Sequence, residues 1–360
     1  MQLAVDVLVV GDLNPDLLVS GDDLAPRWGQ AERDAEMRLV LGGSAGICAA
    51  GMARIGLCTA LAATVGDDDF GTAAQRMLRE RGVSLEAIRV VEGARTGLSI
   101  HLLEGQERAI YTERGAMVEL RAQDAVAAIA ALRPRHVHLA AVFLLDALAH
   151  DGGRILDAAH TSGATVSVDT NFDPADRFDR PAWLRRADVL LPNETEALRL
   201  TGRASAASAH GDAGAHDAAG VRDHAATAPR GEDDANDHAM RSGADAHDAE
   251  VEAAARELAA GGSLVAVKRG ARGAFAVRGG ERAELGADAL AAHGAPPVDA
   301  VGAGDSFDAG VVRALLDGLD LRETLALGCA AGTLSTRAAG GTAAQATHAE
   351  AQELAKALLR

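Results

Sequence analysis

Aromatic residues make up only 2% of the 360-residue chain, too few to assemble a stacking platform for nucleic-acid bases. Positive charge is also short. The formal net charge of -17 opposes a sequence-independent grip on a phosphate backbone, so no nucleic-acid partner is expected. Cysteine is scarce: Cys48, Cys58 and Cys329 are odd in number and lack close paired spacing. No basic-then-apolar leader opens the chain, and a reducing cytoplasm is the expected compartment. No apolar run approaches the roughly 20 residues that span a bilayer, so no membrane partner is expected. Two nucleotide-binding motifs are missing as well. There is no Gly-x-x-x-x-Gly-Lys-Ser/Thr loop, and "GDLNPD" follows the first strand where a dinucleotide binder carries Gly-x-Gly-x-x-Gly. P-loop NTPases and classical dehydrogenases are thereby disfavoured.

What is present is an alternation. The apolar runs "LAVDVLVVGD", "HVHLAAVFL", "TVSVDTN", "ADVLLPN" and "SLVAVKRG" read as buried strands, with alanine-rich helical segments between several of them. This predicts an α/β fold with a mostly parallel sheet covered on both faces, in which ligands bind at the carboxyl ends of the strands. Polar residues stand where that rule puts a site: Asp12 to Asp16, Asp169 to Asn171, Asn193 to Glu196 and the Gly270 region each follow an apolar run.

In the first third, "MRLVLGG", "TGLSIHLLEG" and "ERAIYTERG" are strand-like and separated by turn signals instead of helices. They predict a small antiparallel sheet within about residues 12–20, 35–43 and 95–115, either a lid that expels water from the site or an extension of the main sheet. From about residue 202 to 250 the composition collapses into Ala, Asp, His, Gly and Arg, which reads as a disordered surface insertion. His210, His216, His224, His238 and His247 fall there, but scattered histidines in a polar segment do not preorganise a metal site. A helix from about Glu250 to Ala260 is expected to resume the fold.

The stretch "VDAVGAGDSFDAG", Val298 to Gly310, carries the sharpest signal. Phe307, Val311, Ala314 and Leu315 recur at helical spacing and Gly318 suits a C-cap, which predicts a helix from about Asp305 to Asp317. The unpaired N–H groups and positive dipole end of its first turn make an anion site, and glycine or alanine admits the ligand to the backbone. An aspartate there is held as an acceptor able to take a proton from a bound hydroxyl. The competing reading is a helix cap after a flexible turn.

These motifs, from about Val7 to Gly341, resemble the ribokinase-like, or PfkB-type, carbohydrate kinase family. The resemblance implies one kinase domain over residues 1–360, with a ribokinase-like three-layer fold, a mostly parallel central sheet and a small antiparallel β lid. It makes Asp305 the catalytic base and the N–H groups around Gly302, Ala303 and Gly304 the anion hole for the γ-phosphoryl of ATP. "GDLNPDLLV" is similar to the family's substrate motif, giving Asn14 and Asp16 to sugar hydroxyls, although an ordinary Asn-Pro turn has the same sequence. In "GGSAGICAAGMARIG", Gly42 and Gly43 would let sugar approach the backbone, while Ile47 stands where asparagine is common. "SVDTNFDP" gives Asp169 and Asn171 to substrate and leaves Asp173 open.

"PNETEAL" resembles the family's Asn-x-x-Glu motif, in which Asn193 and Glu196 organise Mg²⁺ through water; a plain helix start is equally compatible. "VAVKRGARGA" places Lys268, Gly270 and Gly273 beside the nucleotide. Arg108 and Arg114 are candidates for an acidic or phosphorylated sugar, or simply surface residues. Asp299 and Val301 lie where the family binds a monovalent cation, so K⁺ joins Mg²⁺ and ATP among the implied ligands, and a homodimer through the lid is implied as well. The activity so implied is an ATP-dependent sugar kinase. A nucleoside kinase and a catalytically silent sugar-binding homologue are the alternatives.

Overall fold

Strand β1 (Val7–Val10) is buried on both faces, and its side chains divide between two separate cores. Val7 and Val9 enter one and Leu8 and Val10 the other, as a two-residue period requires in a sheet covered on both sides. The structure is a computed structural model that describes residues 5–360 except 26, 30, 31, 106, 172, 204–232, 292, 294 and 295, with side chains described outside 233–244 and 291. The other strands are β2 (Asn14–Ser20), β3 (Glu36–Gly42), β4 (Thr59–Gly66), β5 (Ile88–Val91), β6 (Leu98–Glu104), β7 (Glu107–Glu113), β8 (His136–Leu139), β9 (Thr165–Val168), β10 (Val189–Leu190), β11 (Leu264–Lys268), β12 (Gly273–Arg278) and β13 (Glu281–Gly286). The helices are α1 (Ser44–Arg54), α2 (Asp69–Glu80), α3 (Ala122–Leu132), α4 (Asp146–Thr161), α5 (Glu194–Leu200), α6 (Asp233–Leu258), α7 (Ala287–Ala291), α8 (Ala303–Leu316), α9 (Leu321–Ser335) and α10 (His348–Leu358).

Nine strands form the main sheet in the order β13, β12, β11, β10, β9, β8, β1, β4, β5. It is parallel from β5 to β11 and antiparallel at β12 and β13. Helices α1, α2, α8, α9 and α10 bury apolar faces in one core, and α3, α4, α5 and α6 in the other. This is the predicted three-layer α/β arrangement. The small sheet is separate from the main one, in the order β3, β2, β6, β7. It is antiparallel at each hairpin but parallel between β2 and β6.

Three expectations about elements need correcting. The run "HVHLAAVFL" is not strand throughout: β8 ends at Leu139, Ala141 takes φ 53°, and Val142–Leu144 is a 3-10 turn. At the break the Ala141 N–H donates to Asn171 Oδ1 at 2.6 Å. The helix placed at Glu250 begins at Asp233, so residues 233–250 of the supposed disordered insertion are helical. Val251, Ala254, Ala255 and Leu258 anchor that helix in the core, and Asp248 pairs with Arg269 and Arg272 at 2.8 Å each. Residues 204–232 of the insertion, with His210, His216 and His224, lie outside the described residues, as does the His238 side chain. Helix α8 starts at Ala303, two residues before the expected point, with Gly302 as its N-cap.

Candidate active site

One glycine of the signature is required by what lies against it. Gly302 has φ 72°, and a Cβ on it would fall 2.7 Å from Gly341 Cα and 2.9 Å from Ile47 Cγ2. The turn is therefore wedged between two segments far apart in sequence. The Ala303 N–H donates to Ala300 O at 3.1 Å, so the Gly304 and Asp305 N–H groups are the donors without intrahelical partners in the first turn of α8. Asp305, the third helical residue, accepts a hydrogen bond from Ser44 Oγ at 2.5 Å.

Burial pushes the Asp305 pKa up to about 7; the Ser44 hydroxyl and Lys268 oppose the rise, while Asp169 and Asp12 add to it. Because the folded value exceeds the unfolded one, stability from this group is full below pH ~3.9 and is lost as pH rises through about 7. Activity that needs the carboxylate runs the other way. The acid limb of kcat/KM is expected near pH 7, and a limb near pH 4 would exclude Asp305 as the titrating group.

Behind Asp305 lies a charge cluster that the sequence reading saw only in part. Lys268, at the end of β11, places Nζ 2.6 Å from Asp169 Oδ2 and 3.4 Å from Asp308 Oδ1. Asp308 is one helical turn beyond Asp305 on α8, fully buried, and hydrogen-bonded to Asp169. Burial raises the Asp308 pKa, and Asp169 and Asp305 add to the rise while Lys268 opposes it. The Asp169 pKa is lowered, because Lys268 and the Asp308 hydrogen bond outweigh its burial. Lys268 stays charged: burial disfavours its ammonium, but Asp169, Asp308 and Glu196 more than offset this. Its stem runs past Gly304, where an added methyl would meet Nζ at 3.5 Å. An ammonium thus stands at the positive end of a helix dipole, an arrangement that favours an anionic ligand.

On the lid side, Asn14 and Asp16 open β2 and are buried. Asn14 Nδ2 donates to Asp16 Oδ1 at 2.8 Å and to Ser99 Oγ at 3.2 Å, and His101 Nε2 lies 3.3 Å from Asp16 Oδ2. Gly42 pairs with Asn14 across the hairpin, and a Cβ there would fall 2.0 Å from Asp16 Oδ1. The missing side chain makes room for the Asp16 carboxylate. Gly42→Ala should displace Asp16, cost about 1–3 kcal/mol of stability by overpacking, and raise KM for the acceptor about 10-fold or more, with KM for the nucleotide unchanged. An unchanged acceptor KM would exclude Asp16 from substrate binding.

A family model described as pfkB family carbohydrate kinase matches residues 5–348. The chain belongs to the pfkB carbohydrate kinase family. It is a sugar kinase, a phosphotransferase with an alcohol acceptor. Among its relatives is an ATP-dependent ribose-1-phosphate kinase from Halopiger xanaduensis, 32% identical over 196 residues, which are 54% of this chain and 64% of that protein. Another is a 2-dehydro-3-deoxygluconokinase from Thermoproteus tenax, 29% identical over 89% of this chain and 86% of the relative. The fold matches that of a candidate ribokinase II from E. coli, solved in complex with ATP and Mg²⁺, with TM-score 0.71 and 18% identity over 98% of this chain and 99% of that one.

Other residues singled out in this kinase have structural partners of their own. Asn193 and Glu196 form a reciprocal capping box on α5: Asn193 Oδ1 accepts the Glu196 N–H at 2.8 Å, while Glu196 takes the Asn193 N–H at 3.0 Å and Nδ2 at 2.9 Å. Glu196 is buried, which with Asp169 pushes its pKa up to about 7. Asn171 bridges Ala141 and Asp169, and Asp173 is a turn residue that accepts the N–H groups of Ala175, Arg177 and Phe178. Gly270 and Gly273 bracket the turn between β11 and β12. Arg114 donates to Leu144 O at 3.2 Å, and Arg108 lies on β7 opposite Leu103. Asp299 accepts the Val301 N–H at 2.9 Å and the Gly340 N–H at 2.8 Å, tying the loop before α8 to the segment that touches Gly302. Gly43 is the N-cap of α1.

Three contributors escaped the sequence reading: Ser44, Asp308 and His101. Ile47, in the position where asparagine is common, is buried against Gly302 and Gly341, so it supports the signature turn by packing. Among the described residues no helix is long and apolar enough to cross a membrane, and no group of three or more His, Cys, Asp or Glu side chains is placed to hold a metal directly.

Proposed function

We propose that this kinase transfers the γ-phosphoryl of Mg·ATP to a hydroxyl of a small carbohydrate, with Asp305 as general base and the first turn of α8 as anion hole. One observation carries the reading: a titratable carboxylate shares a helix N-terminus with free N–H donors and a part-buried ammonium, at the carboxyl edge of the sheet. In the step, the acceptor oxygen forms a bond to the γ-phosphorus, the bond from that phosphorus to the bridging oxygen breaks, and ADP leaves. Asp305 takes the hydroxyl proton. Orphan N–H groups and Lys268 face the charge that spreads over the phosphoryl oxygens, and such preorganised donors are the main source of rate in phosphoryl transfer.

Asn14 and Asp16 are assigned to sugar hydroxyls, with Gly42 and Gly43 beside them. Lys268, Gly270, Gly273 and Asn193 are assigned to the nucleotide side. The donor set suits Mg²⁺ through water: each Glu196 oxygen already accepts one N–H and keeps a lone pair for a water of the hydrated ion. Bound there, the cation would neutralise charge on the phosphates. Asp299, with one lone pair of each oxygen spent on the loop, suits a monovalent cation. Activity should be higher in potassium chloride than in tetramethylammonium chloride of equal concentration. Met37 and Leu39 on β3 and Ile110 and Tyr111 on β7 leave exposed apolar side chains on both edge strands of the lid, which supports a homodimer there. A monomer by sedimentation would remove that part.

The test is a screen of purified protein with Mg·ATP against pentoses, hexoses, sugar acids, their monophosphates and nucleosides, read as ADP release. Turnover on a carbohydrate alcohol supports the proposal. Turnover confined to adenosine or inosine would replace it with a nucleoside kinase, and sugar binding without turnover would replace it with a silent homologue.

A further inference from the structure

Ser44 opens α1, and its position is fixed from below. Asp12, buried just past β1, accepts the Ser44 N–H through Oδ2 at 3.0 Å and the Ala45 N–H through Oδ1 at 2.9 Å. Its carboxylate is committed to the start of α1, where a side-chain acceptor satisfies N–H groups that the helix cannot. With backbone and helix thus held, the Ser44 hydroxyl donates to Asp305 Oδ1 at 2.5 Å, a contact between residues 261 positions apart.

We infer that Ser44 is a positioning residue for the catalytic base: its hydroxyl pins Oδ1 of Asp305 and leaves Oδ2 to accept the proton of the acceptor alcohol. The inference rests on the proposal that Asp305 is that base. Without the pin the carboxylate would turn about its side-chain bonds, and misplacement of a reacting group by an ångström can cost on the order of 10²-fold in rate. The bond is also charge-assisted and favours the ionised form.

The charged and titratable groups around Asp305 are Asp308 on α8, Asp169 after β9, Lys268 at the end of β11, Glu196 on α5, Asp12 after β1 and Cys48 on α1. Asp169, Asp12 and burial raise the Asp305 pKa, so the Ser44 hydroxyl and Lys268 are what keep its carboxylate accessible near neutral pH. Removing the hydroxyl therefore moves the titration upward.

The experiment compares pH profiles of kcat and kcat/KM for the unsubstituted enzyme, Ser44→Ala, Ser44→Thr and Asp305→Asn on one accepted sugar. Ser44→Ala should lower kcat about 10-fold, keep KM for the acceptor within about 2-fold, and move the acid limb up by about one pH unit; Ser44→Thr should restore the limb. Ser44→Cys, similar in size but a weak donor, should move the limb the same way and serves if the alanine variant does not fold. An unmoved limb, or a rise in KM alone, would overturn the role of Ser44. Should Asp305→Asn retain turnover, the base assignment itself fails. An inactive Asp305→Asn beside an unmoved Ser44→Ala limb rejects Ser44 alone.

Discussion

Asp305→Asn should lower kcat by about 10²- to 10⁴-fold, the usual contribution of a positioned general base. Asparagine keeps the shape and can still receive the Ser44 hydrogen bond on its carbonyl oxygen, but it cannot take a proton from the acceptor. Binding of nucleotide and sugar should persist. Stability is expected to move in the opposite direction from activity. The folded protein favours protonated Asp305, whose pKa is raised to about 7, so ionising it above that pH opposes folding. At pH 8 the asparagine variant should therefore melt no lower than the unsubstituted protein. Isothermal titration with ATP, thermal melts and turnover on one sample of the variant separate these effects. Turnover within about 5-fold of normal would remove Asp305 from the mechanism.

Lys268→Met is expected to cost about 3–5 kcal/mol of folding stability, the penalty for removing one partner of a buried ion pair. Total stabilities are about 5–15 kcal/mol, so this is a large share. Asp169 would be left buried without its cation, with only the hydrogen bond to Asp308 against the loss. The pH dependence identifies the cause. With Lys268 present the Asp169 pKa is lowered, so its contribution is present above the unfolded value and lost as pH falls through the folded one. The deficit of the variant should accordingly be large at pH 8 and shrink toward pH 4, where Asp169 can be protonated. Urea unfolding at the two pH values measures it. An equal deficit at both would point to lost packing of the lysine stem instead.

The main sheet was legible because its strands are buried on both faces and read as continuous apolar runs, while the lid strands stood apart by their turn signals. Asp305 was legible because helical periodicity starting at a glycine-rich turn is a local pattern. What escaped was non-local or misattributed. Ser44 reaches Asp305 across the whole fold, and no spacing in the chain announces that contact. Asp308 had a signal, since acids three apart on a helix share a face, but the apolar stripe drew the reading to Phe307 and Val311. At Gly42 the sequence points to close approach of sugar, and the structure adds a nearer reason for the missing side chain, room for the carboxylate of Asp16. Asn193 and Glu196 satisfy a capping box as fully as they would a hydrated metal, so their pattern alone does not separate the two. The start of α6 was missed because polar composition was read as disorder, although Ala, Asp and His tolerate a helix that Val251 to Leu258 tie to the core.

A structure of the complex with an unhydrolysable ATP analogue, Mg²⁺ and the accepted sugar measures the distance that matters most. The account predicts one sugar hydroxyl within about 2.6–3.2 Å of Asp305 Oδ2, with the γ-phosphate against the Gly304 and Asp305 N–H groups. A hydroxyl held by a different base, or a γ-phosphate bound away from the first turn of α8, would contradict it.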